Sequence, residues 1–222
     1  MSTLFPRPRT QAYLLIKNKN FKTFICVGLV SLQVGCASIF GWDIYAPGIL
    51  SENFSQTIQS THERIALYLP PNLLEYKSYD RGGRTADPQT YHVGEAVGPM
   101  LVEAFQTGFD EFIFMETEPT SEILKQYGIS YLVLVKIKEF KNRVTWGSHA
   151  VSLITETVVL DPNLEMLGRF EATGTSDAKK VFAKKGGPQV NLNAAIENNA
   201  LAIIQYLQDS IQKGVWERKL KV

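Results

Sequence analysis

Cysteine is scarce in this 222-residue chain: Cys26 and Cys36 are the only two. Histidine is nearly as rare. His62, His92 and His149 lie far apart, and none has another His, a Cys or a paired carboxylate at metal-ligand spacing. That argues against a metal centre, and the three read as surface or capping residues. Gly82-Gly83 and Gly186-Gly187 do not join a strand to a helix with a Gly-x-Gly or Gly-Lys-Ser/Thr pattern, so neither is a phosphate-cradling loop. There is no Gly-x-Ser-x-Gly elbow and no Ser-x-x-Lys motif. Acidic residues are missing from the first 35 positions. A long apolar run is missing too. Phe24–Val34 is 11 residues, against the roughly 20 needed to span a bilayer.

What the first 36 residues do hold is ordered. Arg7, Arg9, Lys17, Lys19 and Lys22 form a basic flank, the apolar run follows, and small Gly35 leads into Cys36. A basic flank, a short apolar stretch and a small-residue exit are the parts of a secretory signal peptide. The basic end stays on the cytoplasmic side while the apolar helix enters the membrane.

Leu32-Gln33-Val34-Gly35-Cys36 resembles the lipobox of bacterial lipoproteins, with Leu32 one place early and Gln33 where the family prefers Leu. The resemblance implies cleavage between Gly35 and Cys36, diacylglycerol on the Cys36 thiol and an acylated new amino terminus. Ala37, in place of the Asp that holds such proteins at the inner membrane, implies the periplasmic face of the outer membrane. The alternative is an uncleaved anchor. Extended to Phe40, the run still reaches only 17 residues and includes Gln33. With cleavage, the one remaining cysteine is the lipidated one, which leaves no thiol for a disulfide or for nucleophilic catalysis. No cofactor is expected beyond that covalent lipid.

Removing the leader changes the charge. The mature chain has 18 basic and 22 acidic residues, a net of −4, which argues against nucleic acid, whose binders present a basic face. The expected organisation is a signal peptide at 1–35, a lipid anchor and tether at 36–63, and one domain at 64–222. The tether's aromatics, Phe40, Trp42, Tyr45 and Phe54, suggest that it packs partly on the domain, with a partner contact or a place near lipid headgroups as the alternative, since a free linker is rich in Gly and Ser.

Within the domain, Arg64–Leu69 reads as a strand closed by Pro70-Pro71, Leu73–Tyr79 as an extended piece, and Asp80–Pro88 as a loop. Val97, Leu101, Ala104, Phe105 and Phe109 make one apolar stripe, predicting a helix over Gly94–Asp110. Pro99 suits only a first turn, so the ordered helix should begin no earlier than about Glu95. Phe112–Met115 reads as a buried strand, Ser121–Tyr127 as a short helix stopped by Gly128, and Tyr131–Asn142 as a long strand. Val151–Leu160 and Leu167–Thr175 form a hairpin across Asp161-Pro162-Asn163. Leu192–Lys213 is a final helix with Asn191 as N-cap and Gly214 as stop. The class is α+β: one mixed, mostly antiparallel sheet with two long helices packed on one face.

No active site is legible, and no enzymatic activity is expected. Glu116 and Glu118 could form a carboxylate pair with Glu111 nearby, but a solvated strand end accounts for them. Trp146 beside Gly147 reads as an aromatic over the sheet, with a binding loop as the alternative. The opening strand, the Gly94–Asp110 helix, the Asp161-Pro162-Asn163 hairpin and the Ala-rich last helix loosely resemble accessory lipoproteins of lipid-transport ABC systems and of lipopolysaccharide assembly. That resemblance implies an accessory protein that binds or scaffolds envelope components. Its contacts would be the tether and the loops Asp80–Tyr91 and Asp177–Pro188. A lipid- or glycan-binding module with an apolar groove is the alternative, and a hydrolase is a third reading.

Overall fold

The computed structural model describes residues 41–81, 88–145, 148–176, 179–180 and 187–216. Cys26, Gly35, Cys36, Trp146 and the loop glycines of Gly82-Gly83 lie outside the described residues.

The fold is α+β, built from two sheets. In chain order it runs β1 (Trp42–Ile44), α1 (Glu52–Thr57), β2 (Thr61–Tyr68), α2 (Pro71–Leu74), β3 (Ser78–Asp80), β4 (Gln89–Tyr91) and α3 (Val93–Gly108). Then come β5 (Phe109–Met115), α4 (Ser121–Gln126), β6 (Tyr131–Thr145), β7 (Ser148–Leu160), β8 (Met166–Thr175), β9 (Lys179–Lys180) and α5 (Pro188–Gln212). The larger sheet has the order β5-β2-β6-β7-β8, with β9 on the end of β7. The smaller one, β1-β4-β3, was not expected. Its strands are three residues each, too short to show a period of two.

Sequence chemistry divides the larger sheet. β2 lies parallel to both β5 and β6, and its centre, Ile65-Ala66-Leu67, is fully buried. Ile65 and Leu67 join the main core while Ala66 joins a second cluster with Leu124, Ile129 and Leu132 on the opposite face. A parallel strand covered on both faces reads as a continuous apolar run, which is why this one was legible. β6, β7 and β8 form an antiparallel meander. Along β7 every second residue from His149 to Val159 is buried. The outer face carries Lys138 paired with Glu171, and Glu156 with Arg169.

Helices α3 and α5 both pack on the inner face, as the stripes predict. Met100, Leu101, Ala104 and Phe105 meet Ile196, Ala200, Ile203 and Leu207 in one core. Each of the Leu, Ile, Met and Phe side chains contributes about 1.5–3 kcal/mol on burial.

Four expectations need correction. α3 begins at Val93, so Pro99 sits inside the helix. The early start is fixed by tertiary contact: Gly94 N–H donates to Tyr76 O at 2.9 Å, and a Cβ there would lie 2.2 Å from Leu73 O. Pro99 then leaves the Glu95 carbonyl without its helical donor. Asn191 is not the cap of the last helix, which starts at Pro188 after Gly187; Pro is preorganised for that position. Leu73–Tyr79, expected to be extended, begins in the helical turn Pro71–Leu74 and is a strand only from Ser78. Lastly, the segment expected to be tether belongs to the fold from Trp42 on, because Ile44, Leu50, Phe54 and Ile58 are buried in the main core. The stop at Gly214 is as expected, with φ of 57° and Val215 N–H donating to Ser210 O at 3.0 Å.

Candidate functional site

The polar groups converge where the chain enters the fold. β1 pairs in parallel with β4, Ile44 opposite Tyr91, and His92 N–H donates to Ile44 O at 3.0 Å. His92 is the residue just before α3, so its ring sits between strand and helix. Its Nδ1 is 2.8 Å from Glu95 Oε1, one turn into α3, and its Nε2 is 2.9 Å from Asp43 Oδ1 on β1. The Tyr45 ring stacks on it with centroids 4.0 Å apart.

The clamp continues downstream. Gly48 N–H donates to Asn193 Oδ1 at 3.1 Å and Asn193 Nδ2 donates to Ile49 O at 2.8 Å. Ser51 N–H and its hydroxyl both donate to the Glu197 carboxylate. Backbone from 44 to 51 is thereby tied to α5 and, through Leu50 N–H donating to Glu103 Oε2 at 3.3 Å, to α3; the bonds to the Glu103 and Glu197 carboxylates are charge-assisted and stronger than neutral ones.

A second histidine lies beneath. His149 is 1% exposed, in contrast to the surface position expected of it. It sits on the inner face of β7, where strand alternation turns it to the helices. Its Nδ1 is 3.1 Å from Asn191 Nδ2 and its Nε2 is 3.0 Å from the Tyr91 hydroxyl. Tyr91 donates to Gln89 Oε1 at 2.6 Å. The neutral ring with hydrogen on Nε2 satisfies all of these: Nε2–H donates to Tyr91 and Nδ1 accepts from Asn191. Burial holds the Tyr91 phenol above the ordinary tyrosine range.

Burial also pushes the His149 pKa below that of a free imidazole, opposed by the nearby Asp80 carboxylate. The unfolded chain therefore takes up this proton first. The stability contributed by neutral His149 is complete above the unfolded pKa of about 6.5 and is lost as pH falls below it, with a slope of at most about 1.4 kcal/mol per pH unit. Urea midpoints of wild type and His149→Gln, compared between pH 7.5 and 5, should show the steeper fall in wild type. Parallel falls would remove His149 as the cause.

Both His92 nitrogens face carboxylates and one ring face is covered. His149 is sealed in the core, and His62 pairs with Asp110 at the surface. Glu111 pairs with Arg64, and Glu116 and Glu118 are exposed. These glutamates follow Met115, which aligns through Tyr68 and Leu134 with Val158. From Val158 to His149 the sheet runs about 30 Å, at 3.3 Å per residue, so Glu116 and Glu118 lie at the far end of the sheet from His149. Among the described residues, no three His, Cys, Asp or Glu side chains are grouped to hold a metal. No helix of those residues is long and apolar enough to cross a membrane.

Among the described residues there are hollows of about 190 and 400 Å³. The first lies between α1 and α3 beside Phe54 and Glu103, and the second on the outer face beside Lys138 and Glu171. Neither separates the sheet from the helices. Sequence reasoning picks out Tyr45 as an aromatic that touches something but misses Asp43, Asn193 and Glu197. The one local signal was the spacing of His92 and Glu95, three apart at a helix start, as in a capping box.

No known protein family matches the sequence, and no curated protein matches it. Solved structures with partial likeness include PelC from Paraburkholderia phytofirmans, crystallised as a dodecamer, at 13% identity over 65% of this chain and 91% of that one, TM-score 0.37. Another is a lipoprotein from Neisseria meningitidis, at 6% identity over 68% of this chain and 97% of that one, TM-score 0.32. Likeness at this level assigns the chain to no family.

Proposed function

We propose that this is a lipid-anchored periplasmic protein, held at the outer membrane through Cys36, that binds or scaffolds components of an envelope transport or assembly system. The observation that carries the reading is Cys36 itself, placed at the end of a basic and apolar leader with Ala37 after it. Three acyl chains exceed the two signals that stable anchoring requires. A clamped entry segment supports an accessory role, since a domain held close to its anchor can present its remaining surface in a fixed direction.

Intact mass of protein extracted from bacterial membranes tests this against Cys36→Ala. The wild type should lack residues 1–35 and carry acyl mass, while the variant should keep its leader and carry none. A wild-type chain with residues 1–35 intact and no lipid would sink the anchor and, with it, the compartment.

A further inference from the structure

The surface around the entry of the chain is aromatic. Trp42 is 56% exposed, Tyr45 50% and Tyr79 62%. The register of the small sheet puts Asp43, Thr90 and Tyr79 in one row across β1, β4 and β3. Tyr45 follows Asp43 by two residues and lies on the ring that Asp43 binds, so Tyr45 and Tyr79 share the outer face of this sheet. Trp42 begins its edge strand, with its N–H donating to Pro88 O at 2.8 Å. Single exposed apolar residues are ordinary. Two tyrosines on the outer face of this sheet, with a tryptophan starting its edge strand, are residue types that settle at the boundary between headgroups and acyl chains.

Chain length says what meets this patch. Trp42 is six residues after Cys36, and six residues reach at most about 20 Å when fully extended. The fold is tied down from Trp42 on, so slack cannot be drawn from the domain. The acidic side chains at the patch, Asp43 and Glu95, are both engaged by His92, which lessens the cost of bringing them to a headgroup layer. We infer that the outer face of the three-stranded sheet, with Tyr45 and Tyr79 on it and Trp42 at its edge, rests on the headgroup region of the bilayer that holds Cys36. This rests on the lipid-anchor reading above.

The test uses the full chain, processed and lipidated in a bacterium, purified in detergent and reconstituted into phosphatidylethanolamine/phosphatidylglycerol vesicles. A nitroxide is placed at Tyr79→Cys and, separately, at Lys138→Cys on the outer face of the larger sheet. Both positions are exposed, so neither change disturbs packing. On vesicles the label at 79 should become several-fold less accessible to a water-soluble nickel chelate and more accessible to oxygen, while the label at 138 stays open to the chelate. Equal chelate access at both positions on lipidated, vesicle-bound protein overturns the docking face and leaves the anchor standing. Protection at 79 that is already complete before reconstitution overturns it in favour of a second copy or a partner protein. Labelling of Cys36 itself, with no acyl mass, overturns both readings and is distinguishable from either of the others.

Discussion

Gly174→Ala is expected to destabilise the domain by about 3 kcal/mol. Gly174 lies on β8 opposite Leu153, where α5 crosses the sheet. A Cβ there would sit 2.0 Å from Ala195 O and 2.4 Å from Asn199 N. Both atoms are helix backbone, so no side chain can rotate away and α5 itself must lift. Overpacking a core costs about 1–3 kcal/mol and occasionally more; a backbone obstacle belongs at the upper end. With a urea m-value of about 2 kcal/mol/M, the midpoint should fall by about 1.5 M. Gly98→Ala is the control, because its Cβ would meet only the tip of Leu74, at 2.8 Å, and alanine gains up to about 1 kcal/mol of helix propensity. If Gly174→Ala unfolds within about 0.3 M of wild type, the close approach of α5 to β8 is not a constraint.

Asn199→Leu is expected to cost nearly as much, for a different reason. Asn199 is buried on α5. Its Oδ1 accepts from the Thr155 hydroxyl at 3.0 Å, and its Nδ2 donates to Ala172 O at 2.9 Å and Leu153 O at 3.3 Å. One side chain thus joins a helix to two strands through three hydrogen bonds. Leucine keeps the volume and strands the partners, at about 1–3 kcal/mol for each buried group left unsatisfied, so a total near 3 kcal/mol is expected in urea unfolding. Adding Thr155→Val removes one stranded hydroxyl and should recover about 1 kcal/mol. Strict additivity of the two changes would show that the Thr155 bond contributes nothing.

The residues that make these two predictions show how far the sequence could be read. Ile196, Ala200, Ile203 and Leu207 announced the inner face of α5 by their spacing, and the β7–β8 hairpin was announced by Asp161-Pro162-Asn163. In the structure Asp161 Oδ1 accepts from both Asn163 N–H and Glu165 N–H at 2.8 Å. Local periodicity and local side-chain chemistry are carried by a few consecutive residues, so they are visible in one dimension. Asn199 interrupts the same stripe as a polar residue, and nothing beside it in sequence says that its partners are 27 and 44 positions away. His149 reads as a surface residue in the sequence because its burial depends on Asn191 and Tyr91, which only the fold brings to it. The clamp at His92 was hidden likewise. Half of it comes from Asp43, in a segment whose Gly41, Pro47 and Gly48 read as tether, and which belongs to the fold because Ile44, Leu50 and Phe54 are drawn into the core.

The two halves of the larger sheet also differ in what they demand of the chain before any hydrogen bond can form. Thr145 faces Ser148 across the β6–β7 turn, and Leu160 faces Met166 across the next. Ile65, by contrast, faces Phe112 and Tyr131, partners made 47 and 66 residues later. Closing those loops costs about 2–3 kcal/mol more in chain entropy than closing either turn. The meander can zip from its own turns as soon as it is synthesised. β2 emerges early and stays unpaired until the first of its neighbours, β5, exists, and half-paired until β6 follows. Its unbroken apolar centre, Ile65-Ala66-Leu67, is the stretch left waiting.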